Sequence, residues 1–125
     1  MARILIIEDE KAMSDLVALR FKVEGFEVEQ AFTLGEAQQI LNQGVAFQAI
    51  LTDYLLPDGD LVEFLTHLRS FPVMKNIPIV VMTNYVEDVN TEKLKSLGVI
   101  EILVKYQVVP AQMVAKIKQI LGAAA

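Results

Sequence analysis

A chain of 125 residues, 54% hydrophobic and 22% charged, is long enough for one domain with a buried core and too apolar to remain disordered. Eleven Lys and Arg against sixteen Asp and Glu leave a net charge of −5, so no basic footprint supports direct contact with nucleic acid or an anionic membrane. The absence of cysteine excludes disulfides, thiolate zinc sites, iron-sulfur ligation and thiol nucleophiles, and no apolar run approaches the roughly 20 residues of a membrane span, which makes the cytoplasm the expected location.

The chain alternates short β-branched runs with stretches whose apolar residues recur at three and four. Ile4–Ile7 predicts a strand, residues 11–24 a helix, and Glu27–Ala31 a second strand, peripheral because Glu27-Val28-Glu29 alternates in polarity. Thr33 and Glu36 have the spacing of a reciprocal cap opening a helix at 34–43. Phe47–Thr52 is the third strand. Asp60 and Glu63 open a helix at 60–70, with Leu61, Phe64, Leu65 and Leu68 on one face. Ile79–Thr83, a helix at 88–97, Glu101–Val104 and a helix at 110–121 begun by Pro110 complete the alternation. The runs other than Glu27–Ala31 are almost continuously apolar and predict strands covered on both faces. Gly25, Gly44 and Gly98 stand where helices must stop. This is an α/β domain of five strands and five helices over residues 1–122, with 123–125 as a short alanine tail or linker stub. Met13, Met82 and Met113 are expected as core filler, His67 as an exposed helix residue, and Pro57-Asp58-Gly59 as an ordinary turn.

In an open parallel sheet the ligand site lies beyond the carboxyl ends of the strands. The first run ends in Glu8, Asp9 and Glu10, the third in Asp53, the fourth in Thr83 and Asn84, and the fifth in Lys105. Any one of these alone reads as a solvated turn residue or a helix cap. Acids, a hydroxyl and an amine at the ends of four separate strands instead predict chemistry. Carboxylates packed together repel one another unless a cation neutralises them. With hard oxygen ligands, one histidine and no thiolate, Mg²⁺ fits, with Mn²⁺ as an alternative, and zinc does not. Mg²⁺ retains waters and phosphate oxygens, which points to phosphoryl chemistry, with Asp53 as nucleophile and Lys105 neutralising developing charge.

At these residues the chain resembles the receiver domains of two-component response regulators. The resemblance rests on Arg3-Ile4-Leu5-Ile6-Ile7-Glu8-Asp9-Glu10, on Ile50-Leu51-Thr52-Asp53-Tyr54-Leu55-Leu56-Pro57-Asp58-Gly59, on Ile79-Val80-Val81-Met82-Thr83 and on Leu103-Val104-Lys105. It implies a doubly wound, CheY-like or flavodoxin-like sheet of order 2-1-3-4-5 with helices on both faces. It also implies that Asp53 accepts a phosphoryl group from a histidine kinase or phosphotransfer protein, and that Glu8, Asp9, Asp53 and the Leu55 backbone carbonyl hold Mg²⁺. Thr83 would bind a phosphoryl oxygen and Lys105 would pair with the phosphoryl group.

Two departures from the family pattern bear on switching. Members commonly have a cis proline after the lysine. Here Tyr106 follows Lys105, and a trans bond with a different loop is expected, because a cis bond outside proline costs about 3 kcal/mol. An aromatic residue usually stands three positions before the lysine and swings inward on phosphorylation, but this chain has Ile102, which predicts a weak or differently built coupling. Asn84 is expected to narrow access to the phosphoryl group. Bulky Tyr85 and apolar Leu55 are expected to slow its hydrolysis, and a phosphate lifetime unchanged in Tyr85→Ala and Leu55→Asn would refute that.

The favoured function is a phosphorylation-switched signalling domain that catalyses only its own phosphoryl transfer and dephosphorylation. No effector follows the last helix, so output is expected through a downstream protein target or through a further domain. The alternative is a pseudo-receiver, a constitutive interaction module, favoured by Ile102 and the missing proline and opposed by the intact acidic site. An aspartyl phosphatase of the haloacid dehalogenase type is disfavoured because Glu10 and Lys11 follow Asp9 and no cap domain is present. Nucleotide binding and serine hydrolysis lack their glycine motifs.

Overall fold

The computed structural model describes residues 2–84 and 89–124. In chain order the elements are β1 (Arg3–Ile7), α1 (Lys11–Val23), β2 (Glu27–Ala31), α2 (Leu34–Leu41), β3 (Ala49–Asp53), β4 (Leu55–Leu56), β5 (Gly59–Asp60), α3 (Leu61–Arg69), β6 (Ile79–Thr83), α4 (Thr91–Ser96), β7 (Val99–Val104) and α5 (Pro110–Ala124). Strands β2, β1, β3, β6 and β7 lie side by side in that order in one parallel sheet, which is the expected 2-1-3-4-5 arrangement. The two-residue strands β4 and β5 form a separate antiparallel hairpin directly after Asp53, where only a turn is predicted.

Strand alternation distributes the apolar runs between two layers. Leu5, Ile7, Ile50, Ile79 and Val81 pack with Leu34, Leu61, Leu65, Leu68 and Leu94 from α2, α3 and α4. Ile4, Ile6, Leu51, Val80 and Met82 face the other way, onto Val17 and Phe21 of α1 and Met113, Val114 and Ile117 of α5. Each such side chain removed from water contributes about 1.5–3 kcal/mol, so two full layers hold the central strands rigidly. Met13 is partly buried against the second layer and Met82 and Met113 lie within it, as filler.

The sequence reading needs several corrections. β7 is expected to be covered on both faces, yet it closes the sheet opposite β2 and is mostly half-buried. Its apolar run begins earlier, at Val99, and skips a pairing partner at Ile100, which bulges out at 50% exposure. Phe47 lies before β3 but is buried in the core, and residue 88 of the predicted fourth helix lies outside the described residues. The alanines read as a tail continue α5 to Ala124.

The helix caps form in part. Thr33 accepts from Glu36 N–H, while the Glu36 carboxylate reaches back to Phe32 N–H rather than to Thr33. Asp60 accepts from Val62 N–H. Gly98 takes φ +87°, and a Cβ there would also lie 2.8 Å from the Arg69 guanidinium. That guanidinium donates to the carbonyls of Leu97 and Met74, at 2.8 and 2.7 Å, and so locks the end of α4 onto α3.

Candidate functional site

β1, β3 and β7 each end in a side chain that turns into one small polar basin at the edge of the sheet. They reach it because the strands run parallel, so their carboxyl ends lie together. Lys105 Nζ sits 2.8 Å from Glu8 Oε2 and 2.9 Å from Asp53 Oδ2. All three are nearly or wholly buried, at 9%, 0% and 6% exposure, while Asp9 is exposed at the rim. One carboxylate oxygen from each of Glu8, Asp9 and Asp53 lies within 4.8 Å of the others.

The backbone orients two of these acids. Asp53 Oδ1 accepts from Tyr54 N–H at 2.7 Å and, at the long distance of 3.4 Å, from Leu55 N–H. Glu8 Oε1 accepts from Glu10 N–H. Glu8 Oε2 is buried and, although it touches the Lys105 ammonium, the approach is not aligned for a hydrogen bond. It therefore keeps unused lone pairs beside its contact with the ammonium.

The Glu8 carboxyl is pushed up to about 7: burial is the largest cause and the charge of Asp53 adds to it, while Lys105 and the Glu10 N–H pull the other way. Burial pulls the Lys105 ammonium down, but its contacts with Glu8 and Asp53 outweigh that and leave it above its ordinary 10.5. The basin thus holds two acids that one lysine only partly compensates.

Thr83 ends β6, fully buried, in register with Val104 and one residue past Met82, the partner of Asp53. The structure therefore brings Glu8, Asp9, Asp53 and Lys105 together and sets Thr83 at the end of the strand paired with β3.

Comparison with known proteins matches residues 4–118 to the response regulator receiver domain. The chain belongs to the response regulator receiver family. It is 29% identical over 119 residues to the phosphate regulon transcriptional regulatory protein PhoB of Escherichia coli, covering 95% of this chain and 51% of PhoB. It is also 29% identical to a CpxR homolog of Haemophilus influenzae, over 97% of this chain and 51% of that protein. The chain therefore spans about half the length of the curated relatives it matches. A CheY-like receiver domain protein from Methanospirillum hungatei superposes with a TM-score of 0.88 at 28% identity, covering 98% of this chain and 95% of that one.

The receiver domain departs locally as expected at Lys105–Tyr106, where no cis bond occurs among the described residues and Lys105–Gln107 form a 3-10 turn. Ile102 is half-buried and packs against the α2–α4 layer. Asn84 is exposed, with its Oδ1 on the N–H of Tyr106. Leu55 stands in the β4–β5 hairpin opposite Asp60. Tyr85 lies outside the described residues.

Sequence reasoning missed Asp58. Its two carboxylate oxygens accept from Leu34 N–H and Gly35 N–H, both at 2.9 Å, and these bonds hold its carboxyl below the usual range. Asp58 thus caps α2 from the loop that follows Asp53. No local signal marks this, because the partners are more than twenty residues away. His67 is exposed on α3, with its ring edge-on to Phe71. Among the described residues no helix is long and apolar enough to cross a membrane.

Proposed function

We propose that this receiver domain takes a phosphoryl group onto Asp53 from the phosphohistidine of a histidine kinase or phosphotransfer protein, and that the modified domain is read by a downstream protein. The observation that carries this is the Lys105 ammonium held between Asp53 and Glu8, with Asp9 at the open rim. The receiver unit is taken as residues 1–122, and the domain catalyses only its own phosphorylation and dephosphorylation.

A hard divalent cation fits the donor set. The three acids supply only oxygen, Glu8 Oε2 has unused lone pairs, and the acids exceed the nearby positive charge. Glu8, Asp9 and Asp53, with the Leu55 carbonyl, would hold Mg²⁺ or Mn²⁺. When bound, such an ion neutralises phosphoryl oxygens and the carboxylates around them. An Asp53 carboxylate oxygen forms the new bond to phosphorus as the phosphorus–nitrogen bond breaks, and the electron pair stays on the donor imidazole, which then takes up a proton. The Tyr54 N–H orients the Asp53 carboxylate, Lys105 accompanies the charge that passes to the phosphoryl oxygens, and Thr83 donates its hydroxyl to one of them.

Intact-mass measurement with acetyl phosphate and Mg²⁺ tests the reading. One added phosphoryl group is expected in the wild type, and none in Asp53→Asn or without the metal. No uptake from acetyl phosphate or from a phosphorylated kinase would refute it in favour of the pseudo-receiver alternative.

A further inference from the structure

Asn84 stands one residue past Thr83 at the end of β6, and Tyr106 stands one residue past Lys105 at the end of β7. Asn84 Oδ1 accepts a hydrogen bond from Tyr106 N–H at 3.0 Å. Because the donor is an N–H, the amide orientation of Asn84 is determined: its oxygen must face Tyr106. The bond exists only because residue 106 is not proline, which would offer no N–H. Within the Lys105–Gln107 turn the closing bond, from Val108 N–H to the Lys105 carbonyl, is long at 3.4 Å. The segment that carries Lys105 is therefore weakly closed on itself and tied more tightly to the residue after Thr83. Meanwhile the half-buried Ile102, β-branched and packed on the core, has no ring to swing between two positions.

We propose that Asn84 is a positioning residue whose side chain clasps the Tyr106 backbone, so that movement at Thr83 toward a phosphoryl group on Asp53 is passed through this hydrogen bond to the β7–α5 loop. The proposal rests on the reading of Asp53 as acceptor. Positions 84 and 106 then form a pair: the residue that stands where the family commonly has proline supplies a donor, and the residue after Thr83 supplies its acceptor.

The test reads backbone amide shifts by NMR before and after adding Mg²⁺ with beryllium fluoride, a phosphoryl mimic. The proteins are the wild type, Asn84→Ala, Tyr106→Pro, the double variant, and Asn84→Asp, which keeps an acceptor. Each single deletion is expected to cut the response of Gln107 and Val108 by about half or more, as loss of one linking hydrogen bond implies, while the Leu55 amide responds as before. The double variant is expected to lose no more than either single, and Asn84→Asp to recover most of the response. Should Tyr106→Pro not fold, Asn84→Ala and Asn84→Asp carry the comparison. A wild-type-sized response at Gln107 and Val108 in Asn84→Ala, or additive effects in the double variant, overturns the clasp while leaving the acceptor reading intact. A wild type whose Leu55 amide does not respond refutes the acceptor reading, and the clasp as a coupling element falls with it.

Discussion

Lys105→Met is expected to destabilise the metal-free protein by about 3 kcal/mol at pH 8, and by much less at pH 5.5. The ammonium is buried between Glu8 and Asp53, and methionine keeps the length of the side chain while removing the charge. Two buried carboxylates then face each other, and leaving a buried charge without its partner is among the costliest single changes a core can suffer. The pH dependence follows from the two titrations. The pKa of Lys105 is raised above 10.5, so its contribution is fully present below 10.5 and is lost only at higher pH. Between pH 5.5 and 8 the change therefore belongs to Glu8, whose carboxyl is raised to about 7 with the lysine present and goes higher without it. At pH 5.5 Glu8 carries its proton and the repulsion is largely gone. Urea unfolding of both proteins at the two pH values, without divalent metal, reads the difference. An equal loss at both values would show that the ammonium acts through packing rather than charge.

Glu8→Gln is expected to do the opposite in the metal-free protein, stabilising it by about 2 kcal/mol at pH 8 while abolishing most of its Mg²⁺ affinity. In the wild type the folded Glu8 has its pKa raised from 4.5 to about 7, so between those two pH values the folded state holds a proton that the unfolded state has released. The stability Glu8 confers is thus fully present below pH 4.5 and is lost as pH rises through about 7. A shift of this size corresponds to about 3 kcal/mol, reduced by solvent that reaches the open side of the basin. Glutamine is neutral throughout, so the fall in stability between pH 5 and 8 should flatten in the variant. Mg²⁺ must displace the Glu8 proton, so wild-type affinity should rise by up to about tenfold per unit of pH below 7 and level off above it. Calorimetric titration of Mg²⁺ at pH 5.5, 6.5 and 7.5, alongside denaturant curves, measures both halves. A pH-independent affinity would place the metal away from Glu8.

The charge excess that drives both predictions was legible only as a list of strand-end residues. Glu8, Asp9, Asp53, Thr83 and Lys105 could be picked out because each follows a β-branched run, and runs in an α/β alternation present their carboxyl ends to one edge. That argument ranks residues by position along a strand. It carries no distance, and so could not say that one lysine touches two acids or that Glu8 Oε2 is left without an aligned donor.

The sequence by itself determined the alternation of the five main strands and five helices, because hydrophobic period, Thr33 and Asp60 as caps, and glycines at helix ends act within a few residues of the chain. Tertiary structure alone decided what depends on pairing over long separations. Lys105 reaches Asp53 across 52 residues, Tyr106 reaches Asn84 across 22 and Asp58 reaches Leu34 across 24. An apolar run such as Val99–Val104 reads the same at a sheet edge as at its centre, and only the neighbours that pack against it make it one or the other. The raised pKa of Glu8 is the clearest case: a glutamate after a strand is an ordinary acid until the fold buries it beside a second one.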